Sequence, residues 1–210
     1  MRFAITVLML FAPAFVLAAD IAQRAEDVTP LNAGTELPDV PVRTLDGGET
    51  TSRTALAGKP AVLVFFRGGW CPYCNRHLSS LRKIEDDLQA LGYHLIAISP
   101  DSPASLRAGL KEHKAEYTLI SDSSAAFIRA LGIAFEVDAT TREKYRGYGI
   151  DLEKASGQDH HLLPVPAVYV VNSEGVIQYR YANPDYKVRL DNQELLKQVR
   201  AANSAGQSGS

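Results

Sequence analysis

The 210-residue chain holds two cysteines, one tryptophan and two methionines. So few cysteines exclude a disulfide-stapled scaffold, and a structural zinc site with four ligands finds no second cysteine pair. An excess of either charge is missing as well: 22 Lys and Arg stand against 24 Asp and Glu, a formal net charge of −2. So balanced a surface argues against nucleic acid or an anionic membrane as partner. No internal repeat or low-complexity block interrupts the chain. After the first nineteen residues no apolar run approaches the roughly 20 residues of a membrane span.

Those nineteen, MRFAITVLMLFAPAFVLAA, read as a secretory signal. Arg2 supplies the positive start, Phe3 to Leu17 the apolar stretch, and Val16-Leu17-Ala18 a small-residue cleavage pattern. Pro13 interrupts the stretch, so no stable membrane anchor is expected and the product is exported, periplasmic or secreted. Removing residues 1–19 takes Arg2 and leaves 21 basic against 24 acidic residues. A lead segment (20–33) lacks periodicity, one domain of sizeable core occupies 34–202, and the small, polar 203–210 is expected to be disordered.

Patterning within 34–202 gives an α/β protein. Alternation around Asp46-Gly47-Gly48 is a hairpin signal. PAVLVFF, Pro60 to Phe66, is continuously apolar between a proline and Gly68-Gly69, as a strand buried on both faces would be. Leu78, Leu81, Ile84, Leu88 and Leu91 mark one stripe on a long helix that Gly92 ends. Strands follow at His94 to Ser99 and Thr118 to Ser121, a helix opens at Ser102-Pro103, and a short helix covers Ser123 to Leu131. Ile133 to Leu163 reads as a long loop with some helix. VPAVYVV and GVIQYRY form a hairpin around Asn172-Ser173-Glu174, and Asp191 with Glu194 resembles a capping box for a last helix. The sum is a mixed β-sheet flanked by helices.

Both cysteines fall in GGWCPYCNRHL, at Cys71 and Cys74. A bridge over two intervening residues closes too short a loop to serve as a staple. Cys71 stands where the buried strand has ended and the long helix begins, and Pro72 suits the first helical turn. There the unpaired N–H groups and the positive end of the helix dipole stabilise a thiolate. Cys74 follows one turn on, on the same face. An exposed first thiol attacks a partner disulfide and the second resolves the mixed disulfide. The expected redox centre is a reversible Cys71–Cys74 disulfide with no further cofactor. Trp70 and Tyr73 are candidates for its rim, and Arg67 and Arg76 flank it.

VLVFF followed by WCPYC resembles the thioredoxin superfamily, and CPYC is typical of glutaredoxins. With LPDVPV, ALAGKPAVLVFFRGGWCPYC, AISPDSP and the late YANPDYKVRLDNQELL, the chain resembles the peroxiredoxin-like group of the AhpC/TSA (redoxin) family that carries CxxC in an FxRGxWCPYC setting. The resemblance covers about Gly34 to Val199. It implies a thioredoxin-like fold, a thiol-disulfide oxidoreductase or thiol peroxidase, and protein or small-molecule thiols, disulfides or hydroperoxides as partners. It also divides the cysteines two ways. In the thioredoxin pattern Cys71 attacks and Cys74 resolves. In the peroxiredoxin pattern Cys74 takes the peroxide-reactive position, Cys71 replaces its threonine and Arg67 its proline. The thioredoxin pattern further implies a cis-proline at Val165-Pro166 beside the thiols. Asp185-Tyr186 matches the family without an evident role. A copper site of Sco type, using both cysteines and His160 or His161, is the remaining alternative, although the spacing departs from that family's CxxxC.

Overall fold

The computed structural model describes residues 21–113 and 117–207; the expected signal, 1–19, lies outside them. The chain forms a hairpin, β1 (Pro41–Thr44) and β2 (Glu49–Thr51), then β3 (Ala61–Phe65), α1 (Pro72–Leu81), α2 (Glu85–Ala90), β4 (His94–Ser99), α3 (Pro103–His113) and β5 (Thr118–Ser121). After α4 (Ala126–Ala130) come β6 (Ala134–Glu136), α5 (Ala139–Gly147), α6 (Leu152–Ser156) and β7 (Leu162–Pro164), and last β8 (Ala167–Val171), β9 (Ile177–Ala182) and α7 (Asn192–Gln207). Seven strands make one mixed sheet in the order β2-β1-β5-β4-β3-β8-β9; β6 and β7 pair separately. β3 lies parallel to β4 and antiparallel to β8.

The central strand explains its sequence. In β3 the side chains alternate between two cores: Ala61, Leu63 and Phe65 enter one, Val62 and Val64 the other. Both faces are buried, so no polar residue interrupts the run. The first core packs Phe65 against the edges of Phe127 (5.0 Å between centroids) and Tyr169 (5.8 Å). The second holds Leu78, Leu81, Ile84 and Leu88 with Leu195, Leu196 and Val199 of α7, and both cysteines belong to it.

Three expectations about elements need correction. The long helix is broken: a 3-10 turn, Arg82–Ile84, separates α1 from α2. At this break the Ser80 carbonyl accepts both the Asn192 amide, at 2.8 Å, and the Arg82 N–H. The segment 133–163 is far more ordered than a loop. Asp138 and Asp151 cap α5 and α6 by accepting the N–H groups of Thr141 (2.9 Å) and Lys154 (3.0 Å). Of the tail expected to be disordered, residues 203–207 instead continue α7 to Gln207, with Ser204 Oγ bonded back to the Arg200 carbonyl at 3.0 Å, and 208–210 lie outside the described residues.

The lead segment also belongs to the body. Leu31 N donates to the Leu131 carbonyl at 3.0 Å, and Val28 and Leu31 pack on the first core. Gly132, at φ 67°, closes α4 where a Cβ would meet the Thr29 carbonyl oxygen at 2.2 Å. Asp191 supplies half of the expected box, accepting the N–H of Gln193 (2.8 Å) and Glu194 (3.3 Å). Glu194 turns instead to Gln198 and Lys197.

Candidate active site

The chain leaves β3 through Arg67-Gly68-Gly69-Trp70 and enters α1 at Cys71, which occupies the N-cap position with Pro72 next. The turn is set from beneath by Asp101, just after β4. Its carboxylate accepts the Gly69 N–H at 2.7 Å, and it is only 3% exposed. Gly68 has φ 153°, and a Cβ there would lie 2.3 Å from the Trp70 Nε1 and 2.8 Å from Asp101 Oδ1. Only glycine fits that corner. Asn75 Nδ2 closes the turn onto the Gly69 carbonyl at 2.8 Å.

Cys71 and Cys74 are both free thiols, side by side, and the Cys74 thiol is hydrogen-bonded to the Cys71 sulfur. That bond lowers the pKa of Cys71 from 9.0 to about 6, against the opposing effect of burial. The backbone N–H of Cys74 and the guanidinium groups of Arg67 and Arg189 add to the lowering. Cys74 is driven strongly upward by the same hydrogen bond, by burial and by the Cys71 charge. Cys71 is thus the more acidic of the two thiols, and Cys74 the one that keeps its proton longer. Its neighbour His77 is buried and neutral, lowered to about 4 by desolvation and then by Arg189.

The first thiol was expected to be exposed, and it is not: Cys71 is 2% and Cys74 0% exposed. Trp70 and Tyr73 pack against the cluster that holds both sulfurs. The segment between β9 and α7 brings Arg189, whose Nη2 donates to Cys74 Sγ at 3.5 Å, and Tyr186, in edge contact with Tyr73 at 5.6 Å. Arg67, flanking in sequence, is itself buried. Its guanidinium sits 4.5 Å from the Tyr186 ring centroid, 5.4 Å from Trp70 and 5.5 Å from Tyr145, and Nη2 bonds the Tyr145 hydroxyl.

Val165-Pro166 does not have the expected form. No cis peptide bond occurs among the described residues. The backbone there is already engaged: Val165 N donates to the Ile133 carbonyl at 2.9 Å, and the Pro166 carbonyl accepts Asn183 N at 3.1 Å. Neither group is left for a partner chain. The histidines also turn elsewhere. His160 Nε2 meets the Ser123 carbonyl at 2.9 Å and its Nδ1 accepts Leu162 N at 2.9 Å, while His161 Nε2 pairs with Glu153 at 2.7 Å. Among the described residues no group of His, Cys, Asp and Glu is arranged to hold a metal. Sequence reasoning did not single out Arg189, Tyr145 or Asp101 for this site. Tyr186 acquires the role it lacked, as a wall of the Arg67 cage.

A dithiol at a strand-to-helix junction, beside a mixed sheet of this order, defines a thioredoxin-fold thiol site. Residues 33–180 match the AhpC/TSA family, and the chain belongs to it. This membership puts it among the thiol-dependent oxidoreductases and peroxidases. Chloroplastic peroxiredoxin Q of Triticum aestivum is 27% identical over 82% of this chain and 70% of its own length. That of Gentiana triflora is 26% identical over 65% and 52%. This chain thus spans between about half and 70% of these two relatives. Among solved structures, peroxiredoxin Q of Xanthomonas campestris superposes with a TM-score of 0.61 at 21% identity, covering 82% of this chain and 99% of that one. Peroxiredoxin 6 of Arenicola marina does so with 0.68 at 17%, covering 84% and 76%. These likenesses establish the fold.

Proposed function

We propose that the chain is an exported thiol-disulfide oxidoreductase on a peroxiredoxin-like fold, with Cys71 attacking and Cys74 resolving. The observation that carries this reading is the placing of Cys71 at the N-cap of α1, before Pro72, with Cys74 a turn further in; the pKa directions of the two thiols agree with it. A sulfur held as thiolate near neutral pH is the nucleophile, and its protonated neighbour is the group kept in reserve. The Cys71 thiolate attacks a disulfide RS–SR. Its S–S bond breaks, and one RS⁻ leaves with the electron pair. Cys74 then gives up its proton, attacks Cys71 Sγ and expels the second RS⁻. Two protein thiols are oxidised and one disulfide is reduced to two thiols, and the sequence runs equally in reverse. Partners are protein or small-molecule thiols and disulfides, and the reversible Cys71–Cys74 disulfide is the only cofactor.

Trapping tests the order. Cys74→Ser should accumulate mixed disulfides on Cys71, detected by mass, and Cys71→Ser should accumulate none. The leader is tested by sequencing the mature N-terminus after expression in a bacterial host; a start near residue 20, with the protein in the periplasm, is expected.

A second reading, a thiol peroxidase with Cys74 peroxide-reactive and Cys71 resolving, is favoured by the Arg189 hydrogen bond to Cys74 and by burial of both sulfurs. A small hydroperoxide enters such a site more easily than a bulky disulfide. If Cys71→Ser forms a sulfenic acid on Cys74 rapidly with hydrogen peroxide, this second order replaces the first.

A further inference from the structure

Cations and aromatic rings alternate in front of the two sulfurs. Arg76 lies over Tyr73 at 5.4 Å, Tyr73 meets Tyr186 edge-on, Tyr186 faces the buried Arg67, and Lys187 lies 5.8 Å from the Tyr186 centroid. Arg189 completes the set on Cys74. Among the described residues none of these four cations joins an ion pair, those lying elsewhere at Arg24–Glu26, Arg43–Glu49, Arg53–Glu36, His161–Glu153 and Lys197–Glu194. Moreover, Arg67 is 4% exposed and its Nε has no hydrogen-bond partner. Buried donors of this kind are rarely left unsatisfied. Two carboxylates stand near the belt: Asp185, which accepts the Lys187 backbone N–H at 3.0 Å, and the buried Asp101, which accepts the Gly69 N–H at 2.7 Å beneath the turn. In a chain of net charge −2, a cluster of cations at the two sulfurs with no carboxylate partner among the described residues is a local reversal of sign.

We propose that this belt of Arg67, Tyr73, Arg76, Tyr186, Lys187 and Arg189 is a docking surface for small carboxylate-bearing disulfides and thiols. The inference rests on the exchange reading above and names its substrate class. The carboxylate meets the exposed Arg76 and Lys187 first, while the apolar part of the molecule lies against Tyr73 and Tyr186, close to Cys71. A small molecule rather than a protein suits the site, because the rings already close over the sulfurs. Cation–π contacts hold the cationic side chains over the rings and so keep them at the mouth. A cluster of one sign also raises the encounter rate with opposite charge, an effect that salt screens.

The experiment follows oxidation of the reduced full chain by three disulfides of similar size: 3,3′-dithiodipropionate (anionic), bis(2-hydroxyethyl) disulfide (neutral) and cystamine (cationic). Each rate is divided by that of the same disulfide with dithiothreitol at the same pH, which removes differences in intrinsic reactivity. At low salt the normalised rate should fall in the order anionic, neutral, cationic, spanning about tenfold. The span should shrink to about twofold near 0.5 M salt. Arg76→Gln/Lys187→Gln should narrow it several-fold at low salt. A flat or reversed order, or a span unchanged in the double variant, overturns the docking proposal alone. Failure of all three disulfides to oxidise Cys71 overturns the exchange reading, and the docking surface with it.

Discussion

Replacing Cys74 by alanine tests the central electrostatic claim, because it removes the donor that most lowers the Cys71 pKa. The displacement from 9.0 to about 6 amounts to roughly 4 kcal/mol favouring the thiolate, at 1.36 kcal/mol per pKa unit. Burial works in the opposite direction, so the favourable contributions together exceed that figure. A hydrogen bond to a charged acceptor is worth about 1.5–3 kcal/mol, or one to two units. Cys74→Ala should therefore raise Cys71 to about 7–8, with Arg67, Arg189 and the remaining backbone N–H keeping it below an ordinary thiol. Cys74→Ser keeps an O–H donor in place and should hold Cys71 close to its original value. Thiolate absorbance at 240 nm against pH, checked by the pH dependence of iodoacetamide alkylation, reads both variants. An alanine variant whose Cys71 still titrates near 6, or a serine variant that rises as far as the alanine one, would refute the reasoning.

Three further outcomes follow from the same structure. With Cys71 already ionised above about pH 6, reduction of the disulfide takes up one proton per two electrons instead of two. The midpoint potential should then fall by about 60 mV per pH unit below pH 6 and about 30 mV above it; a single slope from pH 5 to 8 would contradict a thiolate at neutrality. Asp122 is buried beneath α4, accepts the N–H groups of Phe127 and Ile128, and is raised by desolvation to about 7. Because the folded state holds that proton between about pH 4 and 7 and the unfolded state does not, stability declines as pH rises through that window. In urea titrations, Asp122→Asn should make the decline shallower. Gly68→Ala forces a Cβ to within 2.3 Å of the Trp70 indole nitrogen and should cost about 1–3 kcal/mol of stability, with a shift in Trp70 fluorescence. An unperturbed variant would mean that the turn before Cys71 is loosely held.

What the sequence reveals and what it hides have separate physical causes. β3, the helix start at Pro72 and the thiol pair are local: length, flanking glycines and the position of a proline encode them within a dozen residues. α5 reads from sequence only as some helix within a long loop, because it buries no residue and so shows no apolar stripe; its N-terminus is capped by Asp138. At the break after α1 the Ser80 carbonyl meets the amide of Asn192, 112 residues away. Arg189 stands 115 residues from Cys74 and belongs to no spacing rule. Pro166 misled for a related reason: whether its backbone is open to a partner depends on Ile133 and Asn183, which only the fold brings alongside.

The conflict between the two cysteine assignments turns on a single proton. Both sulfurs feel Arg189, and both lie in the same buried cluster, so neither cation nor burial by itself separates them. Position does: Cys71 is the N-cap residue of α1, where free helix N–H groups favour a thiolate, and Cys74 lies a turn further in. Once Cys71 has formed a bond to a partner sulfur its charge is gone. Two of the three influences raising Cys74 are weakened with it, leaving burial against the Arg67 backbone N–H and the Arg189 guanidinium. On the proposed order, reaction of the first thiol makes the second more acidic, and that order then needs no separate base. Cys71→Ala mimics that spent state. In it Cys74 should titrate far lower than in the intact pair and react measurably with iodoacetamide at pH 8–9. Additional Arg189→Gln should reverse the gain. A Cys74 that stays inert in Cys71→Ala would mean that burial, not its neighbour's charge, withholds the proton.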